Sequence, residues 1–316
     1  MKKFLKIVLL IVVLAIVALT VFWFVRPADV SFDQVRASVP NSNYSHFADI
    51  DGVRIHYQEK GTGTPLVLIH GYSSSTYSWK DVLEPLAKTF HVIAVDLKGF
   101  GFSAKPDGDY TRRAQAVLVT HLLEHLKIGK AWLCGNSMGG EVVLNVALAN
   151  PERVAGLILV DSAGVKVSGS GSLAPGYLMI PVIGRLLIAL SLTSDKLVRE
   201  GLEKSFYDDT KVTRERVANY YLPLKTRGGQ LAALRARTQF AMFPVEAELG
   251  KILVPTLILW GDQDQLIPLA AGYKLSSLIK DSKLIVFDKC GHLPQEEMPA
   301  RTADEIITFI TRKNSP

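Results

Sequence analysis

Residues 131–150 constrain the fold more than any other stretch. An apolar run, Ala131-Trp132-Leu133-Cys134, gives way to Gly135-Asn136-Ser137-Met138-Gly139-Gly140 and then to a helical pattern over 138–150 that Pro151 stops. A strand followed at once by a helix needs a sharp turn, and the glycines two residues either side of Ser137 allow one. Such a turn lifts the serine hydroxyl out of a sheet and sets it at a helix N-terminus, the context of a nucleophile elbow. A bare GxSxG also occurs in ordinary Gly-rich turns, so the reading depends on its surroundings.

Those surroundings are regular. Short apolar runs at 66–69, 92–95, 131–134, 157–160, 256–260 and 284–287 read as buried parallel strands. Helical patterns lie between or after them, at 113–126 (closed by Gly129), 138–150 and 300–311. Ahead of them, alternating runs at 45–50 and 53–59 flank Asp51-Gly52, a hairpin-turn signal. The expectation is an α/β fold: a mostly parallel eight-stranded sheet with helices on both faces. With 48% hydrophobic residues in 316, there is ample apolar material for such a core. The alternation breaks over 162–248, too long for an ordinary connection. That stretch opens with Gly169-Ser170-Gly171-Ser172 and holds an apolar segment, 177–192, broken by Pro181, Gly184 and Arg185. It reads as an inserted helical cap, leaving 45–161 and 249–316 as the core.

With these motifs in this order, the chain from about Ser45 onward resembles the α/β-hydrolase superfamily, in the branch holding bacterial lipases and esterases, monoacylglycerol lipases and meta-cleavage-product hydrolases. The resemblance implies the α/β-hydrolase fold and a triad in the order Ser, acid, His, with acid and base on loops after the last two strands. Ser137 is then the nucleophile. Cys290-Gly291-His292 resembles the family's Gly-His motif and implies His292 as the base. Trp260-Gly261-Asp262-Gln263-Asp264 resembles its WGxxD loop and implies Asp264 as the acid, with Asp262 and Asp161 as rivals. For the oxyanion, the elbow offers the Met138 N–H, and His70-Gly71-Tyr72 resembles the family's His-Gly-x element, which implies the Tyr72 N–H. His46, His56, His91, His121 and His125 read as packed or solvated side chains, and His70 as a loop anchor.

Other chemistry has weak support. Asp96-Leu97-Lys98-Gly99-Phe100-Gly101-Phe102-Ser103 has a GxG after a strand but lacks the third glycine of a dinucleotide fingerprint, and it resembles a structural turn of the same family. There is no P-loop, no His-Glu-x-x-His and no paired cysteines, so no cofactor or metal is expected. The two cysteines, Cys134 and Cys290, are too few for a disulfide framework and read as small buried hydrophobes rather than redox groups. A serine at 137 separates the chain from epoxide hydrolases and haloalkane dehalogenases of the same fold, which place an aspartate there.

At the N-terminus, residues 7–25 carry no charge, and Lys2, Lys3 and Lys6 precede them. A run of that length nearly matches the bilayer core, and basic residues on its short flank favour an N-in anchor with the catalytic domain exported, periplasmic or extracellular. A cleaved signal peptide is the alternative, making the protein secreted; the bulky residues 22–26 argue against a cleavage site. Residues 1–25 are then an anchor and 26–44 a tether. The net charge of +6 suits a site near an anionic leaflet, and without a basic stripe it does not point to nucleic acid. The expected activity is hydrolysis of a small-molecule ester or lipid through an acyl-serine, as in a carboxylesterase or monoacylglycerol lipase. The alternatives are carbon-carbon hydrolysis of the meta-cleavage type and a non-catalytic binding protein on this fold. Oligomeric state is not written in the sequence.

Overall fold

The computed structural model describes residues 2–25, 30–168, 195–226, 228–239 and 245–314. The Gly/Ser run at 169–172 and the apolar stretch at 177–192 lie outside them.

Eight strands form one sheet: β1 (Ser45–Ile50), β2 (Val53–Lys60), β3 (Pro65–Ile69), β4 (His91–Val95), β5 (Ala131–Asn136), β6 (Val154–Val160), β7 (Thr256–Gly261) and β8 (Ser282–Phe287). Their order across the sheet is β1-β2-β4-β3-β5-β6-β7-β8. β2 runs antiparallel to both neighbours, and β4 through β8 are mutually parallel. Asp51 and Gly52 both have positive φ, 52° and 75°, the conformation a two-residue hairpin turn demands.

The parallel strands are apolar on both faces because both are covered. Alternate residues go to opposite sides: Val67, Ile69, Ile93, Val95, Leu133 and Leu159 join one core, while Leu66, Leu68, Val92, Ala94, Trp132 and Val160 join the other.

At the N-terminus, α1 (Lys2–Val25) is a single apolar helix with none of its 3–21 window buried against the rest of the protein. Residues 26–44 were expected to be a tether without regular structure. Instead α2 (Phe32–Val35) and two 3-10 turns, Arg36–Ser38 and Ser42–Tyr44, dock on the core. Phe32 sets its ring 5.1–5.3 Å from those of Phe47, His56 and Phe102. The amide of Val30 also donates to the carbonyl of Lys225.

Among the described residues the remaining helices are α3 (Lys80–Ala87), α4 (Arg112–His125), α5 (Met138–Ala149), α6 (Asp195–Ser205), α7 (Arg214–Tyr221), α8 (Gly229–Thr238), α9 (Ala270–Leu278), α10 (Pro294–Glu297) and α11 (Pro299–Asn314). α4, α5 and α9 cover the first core through Leu122, Val143 and Leu275. α3 and α11 cover the second through Leu83 and Ile306. α6, α7 and α8 come from the long segment between β6 and β7. A small core from α6 and α7, with Leu202, Phe206, Val217 and Tyr220, reaches down to Tyr77 and Leu293 of the main body, while α8 puts Ala232 and Ala236 into the first core.

Candidate active site

β5 ends at Asn136 and α5 begins at Met138, so Ser137 alone makes the turn. Its backbone sits at φ 53° and ψ −119°, a strained conformation for a residue with a side chain. The surroundings enforce it. A Cβ on Gly139 would lie 2.3 Å from the carbonyl oxygen of Ile69 and 2.6 Å from that of His70, so only glycine lets α5 start this close to β3. Ser137 is the N-cap of α5 yet makes no side-chain bond to it. Its hydroxyl is therefore not spent on capping, and the helix dipole favours negative charge at that end.

The ends of β7 and β8 bring Asp264 and His292 together. His292 Nδ1 lies 2.7 Å from Asp264 Oδ2, with both side chains buried. Asp264 Oδ1 accepts the amides of Leu266 at 2.7 Å and Ile267 at 3.0 Å, which fixes the carboxylate plane. With Nδ1–H donating to the carboxylate, Nε2 is left as the basic nitrogen. Asn136 ties this end of the site to the elbow: its Nδ2 donates to the carbonyls of His292 and Val160, both at 3.1 Å. Asp262, the rival in the same loop, accepts the Cys290 amide and holds the turn. Asp161, the other rival, is fully buried and accepts the Gly261 amide at 2.9 Å.

The loop after β3 passes directly over the elbow. A Cβ on Gly71 would stand 3.2 Å from that of Ser137, so a larger residue there would press on Ser137. Met138 follows Ser137 at the start of α5, Tyr72 follows Gly71 in the loop beside the elbow, and the Tyr72 hydroxyl reaches across to the Ala233 carbonyl of α8. His70 anchors this loop. Its Nε2 accepts the Leu97 amide at 3.1 Å, so its Nδ1 must donate to the Gly71 carbonyl at 2.6 Å. Burial lowers its pKa and keeps it neutral. Both nitrogens are committed, which suits an anchor and not a base.

The turn at 96–103 is structural in the same sense. Asp96, fully buried, accepts the Thr76 amide at 2.6 Å, the Phe102 amide at 2.8 Å and His56 Nδ1 at 2.7 Å. Burial alone raises a carboxyl pKa; here His56, His70 and the amides outweigh it and bring Asp96 down to about 2. Both cysteines are free and buried, and burial pushes both thiols well above the ordinary range.

Two glutamates that sequence reasoning passed over hold the His292 loop. Glu297 accepts the amides of Gly291 at 2.6 Å, Tyr207 at 2.9 Å and Asp208 at 3.4 Å, joining the loop to the end of α6. Glu296 is buried between Tyr220, Arg216 and Lys80. The only sequence signal was their position in α10, just behind His292.

Fold and site together define a class. The chain belongs to the alpha/beta hydrolase fold family, whose signature matches residues 64–299, and it is a hydrolase. It is 31% identical over 293 residues to the 2-hydroxy-6-oxo-6-(2'-aminophenyl)hexa-2,4-dienoic acid hydrolase of Metapseudomonas resinovorans, covering 89% of this chain and 96% of that one. Among solved structures it is similar to a meta-cleavage product hydrolase from Pseudomonas fluorescens (28% identity, TM-score 0.74, 85% of this chain and 98% of that one). It is also similar to a membrane phospholipase A, at 28% identity and TM-score 0.75, with all of both chains covered.

Proposed function

We propose that this chain is a membrane-tethered serine hydrolase that cleaves carboxylic esters, of the lipase or carboxylesterase kind, with Ser137, His292 and Asp264 as its triad. The observation that carries the chemistry is the buried 2.7 Å pair of His292 and Asp264, tied through Asn136 to the strained turn at Ser137. Ser137 Oγ attacks the ester carbonyl as its proton passes to His292 Nε2, and the oxyanion is received by the N–H groups of Tyr72 and Met138. His292 then gives the proton to the leaving alcohol. An acyl-serine remains, which water hydrolyses by the same proton route in reverse. Asp264 holds the imidazole in place and stabilises its charged form.

The lipid setting rests on α1, which is long and apolar enough to cross a bilayer and has no residue of its 3–21 window buried against the domain. The membrane phospholipase A neighbour, matched over its full length, supports the same setting. By the charge of Lys2, Lys3 and Lys6 the domain would face the exported side. A second reading is carbon-carbon hydrolysis, favoured by the 31% identity to a dienoic acid hydrolase over 96% of its length.

One panel separates the two. The full chain in detergent is assayed on p-nitrophenyl esters of increasing chain length, monoacylglycerols and a 2-hydroxy-6-oxo-hexa-2,4-dienoic acid. The proposal expects ester turnover to exceed dienoic acid turnover by at least about 100-fold in kcat/KM. The reverse ranking would favour the second reading, and no turnover of any ester would overturn the proposal.

A further inference from the structure

The structure places a second buried carboxyl behind the triad. Asp161 directly follows β6, beside the loop after β7, with φ 42° and no exposed surface. One oxygen of Asp161, one of Asp264 and one nitrogen of His292 all lie within 4.8 Å of one another. Asp161 Oδ1 is satisfied by the Gly261 amide, whereas Oδ2 is buried with no hydrogen-bond partner among the described residues. The Asp264 oxygens are already committed to two amides and to His292. Two carboxyl groups at this range, shut away from water, cannot both ionise cheaply, and an orphaned oxygen facing another carboxylate is satisfied by a proton between them.

We propose that Asp161 is a positioning residue that keeps its proton and donates it to the Asp264 carboxylate, so that the pair bears a single negative charge behind His292. Asp161 then acts on the base through Asp264 by holding that carboxylate in place and moderating its charge. This role presupposes the triad proposed above. The groups facing Asp161 agree with its neutral state. Asp264 and His292 adjoin it, Glu297 of α10 adds negative charge, and Cys290 is a neutral thiol; Asp262 and Lys211 bear on Cys290 from further out. Burial first, and then the charge of Asp264, hold the Asp161 carboxyl well above its ordinary value of 3.8.

The direction of the pH effect follows. The unfolded chain releases the Asp161 proton near 3.8 and the folded chain keeps it to higher pH, so folding takes up a proton in that interval and stability falls as pH rises through it. Asp161→Asn removes the titration while its amide N–H still donates to Asp264.

The test uses the full chain in detergent. Tm is measured for wild type and Asp161→Asn from pH 4 upward, and kcat and KM on p-nitrophenyl butyrate are measured for wild type, Asp161→Asn and Asp161→Ala. The proposal expects the Asn variant to gain Tm over wild type progressively as pH rises. Its kcat should stay within about threefold of wild type, while Asp161→Ala loses about 10- to 100-fold in kcat with KM little changed. A Tm difference that is constant with pH would overturn the shared proton, even if Asp161→Ala fails to fold. Asn as inactive as Ala would overturn the donor role. If wild type hydrolyses no ester, the triad reading fails, and the Tm series still decides the protonation of Asp161.

Discussion

The backbone amide of His292 donates to the carbonyl of Ser205 at 2.7 Å, fastening the loop of the proposed base to the last residue of α6. Glu297 repeats the link by collecting amides from both sides of the junction. The described end of α6, in the segment between β6 and β7, therefore helps build the His292 end of the candidate site.

Glu297→Ala orphans the buried Gly291 amide, at a cost of about 1–3 kcal/mol, and also strips the part-buried amides of Tyr207 and Asp208 of their acceptor. Urea unfolding is expected to show a loss of about 2–4 kcal/mol, with kcat falling more than KM changes, and Glu297→Gln recovering part of both. An alanine variant as stable as wild type would mean that the amides find other partners.

Gly139→Ala places a methyl group against two backbone carbonyls of the β3 end, which cannot swing aside as a side chain can. Destabilisation of at least about 2 kcal/mol is expected, along with loss of activity, since relief requires the elbow to move away from β3. Unchanged unfolding and turnover would contradict the close approach of α5 and β3.

Asp96 titrates in the opposite sense to Asp161. Its folded pKa is depressed to about 2 from 3.8, so its stabilisation is present above the unfolded value and is lost as pH falls toward the folded one. Wild type should exceed Asp96→Asn in stability at neutral pH, and the gap should shrink by on the order of 2 kcal/mol between about pH 4 and pH 2. Equilibrium unfolding of both proteins across that range checks it; a gap independent of pH would show that folding does not depress the Asp96 pKa.

Phe32→Ala removes three ring contacts that dock the 30–44 segment on the core. Aromatic contacts of this kind are worth about 1 kcal/mol each, so protease cleavage within 30–44 should accelerate by about tenfold or more while the sheet unfolds much as before. Equal cleavage rates would show that other contacts hold the segment.

Much of the fold is written locally. The hairpin at Asp51-Gly52, the elbow at Ser137 and the apolar runs of the parallel strands each follow from a few neighbouring residues. The meeting of Asp264 and His292 was reached through the family's motif order, not from spacing. What escaped is long-range. The docking of 30–44 depends on Phe32 meeting rings from β1, β2 and the 96–103 turn, and no local pattern marks that. The Glu297 clamp joins residues about 90 positions apart, and Asp161 comes beside Asp264 only because β6 and β7 are adjacent in the sheet. The inversion that places β4 beside β2 is likewise invisible in a strand-helix alternation.

The most direct test of the central claim is a rapid-quench mass measurement on the full chain during turnover of p-nitrophenyl butyrate, paired with the rate of Ser137→Ala. The account predicts one butyryl group on the peptide that contains Ser137, and a loss of at least about 10³-fold in kcat for the alanine variant. A butyryl group on another residue, or an alanine variant that turns over at the wild-type rate, would contradict it.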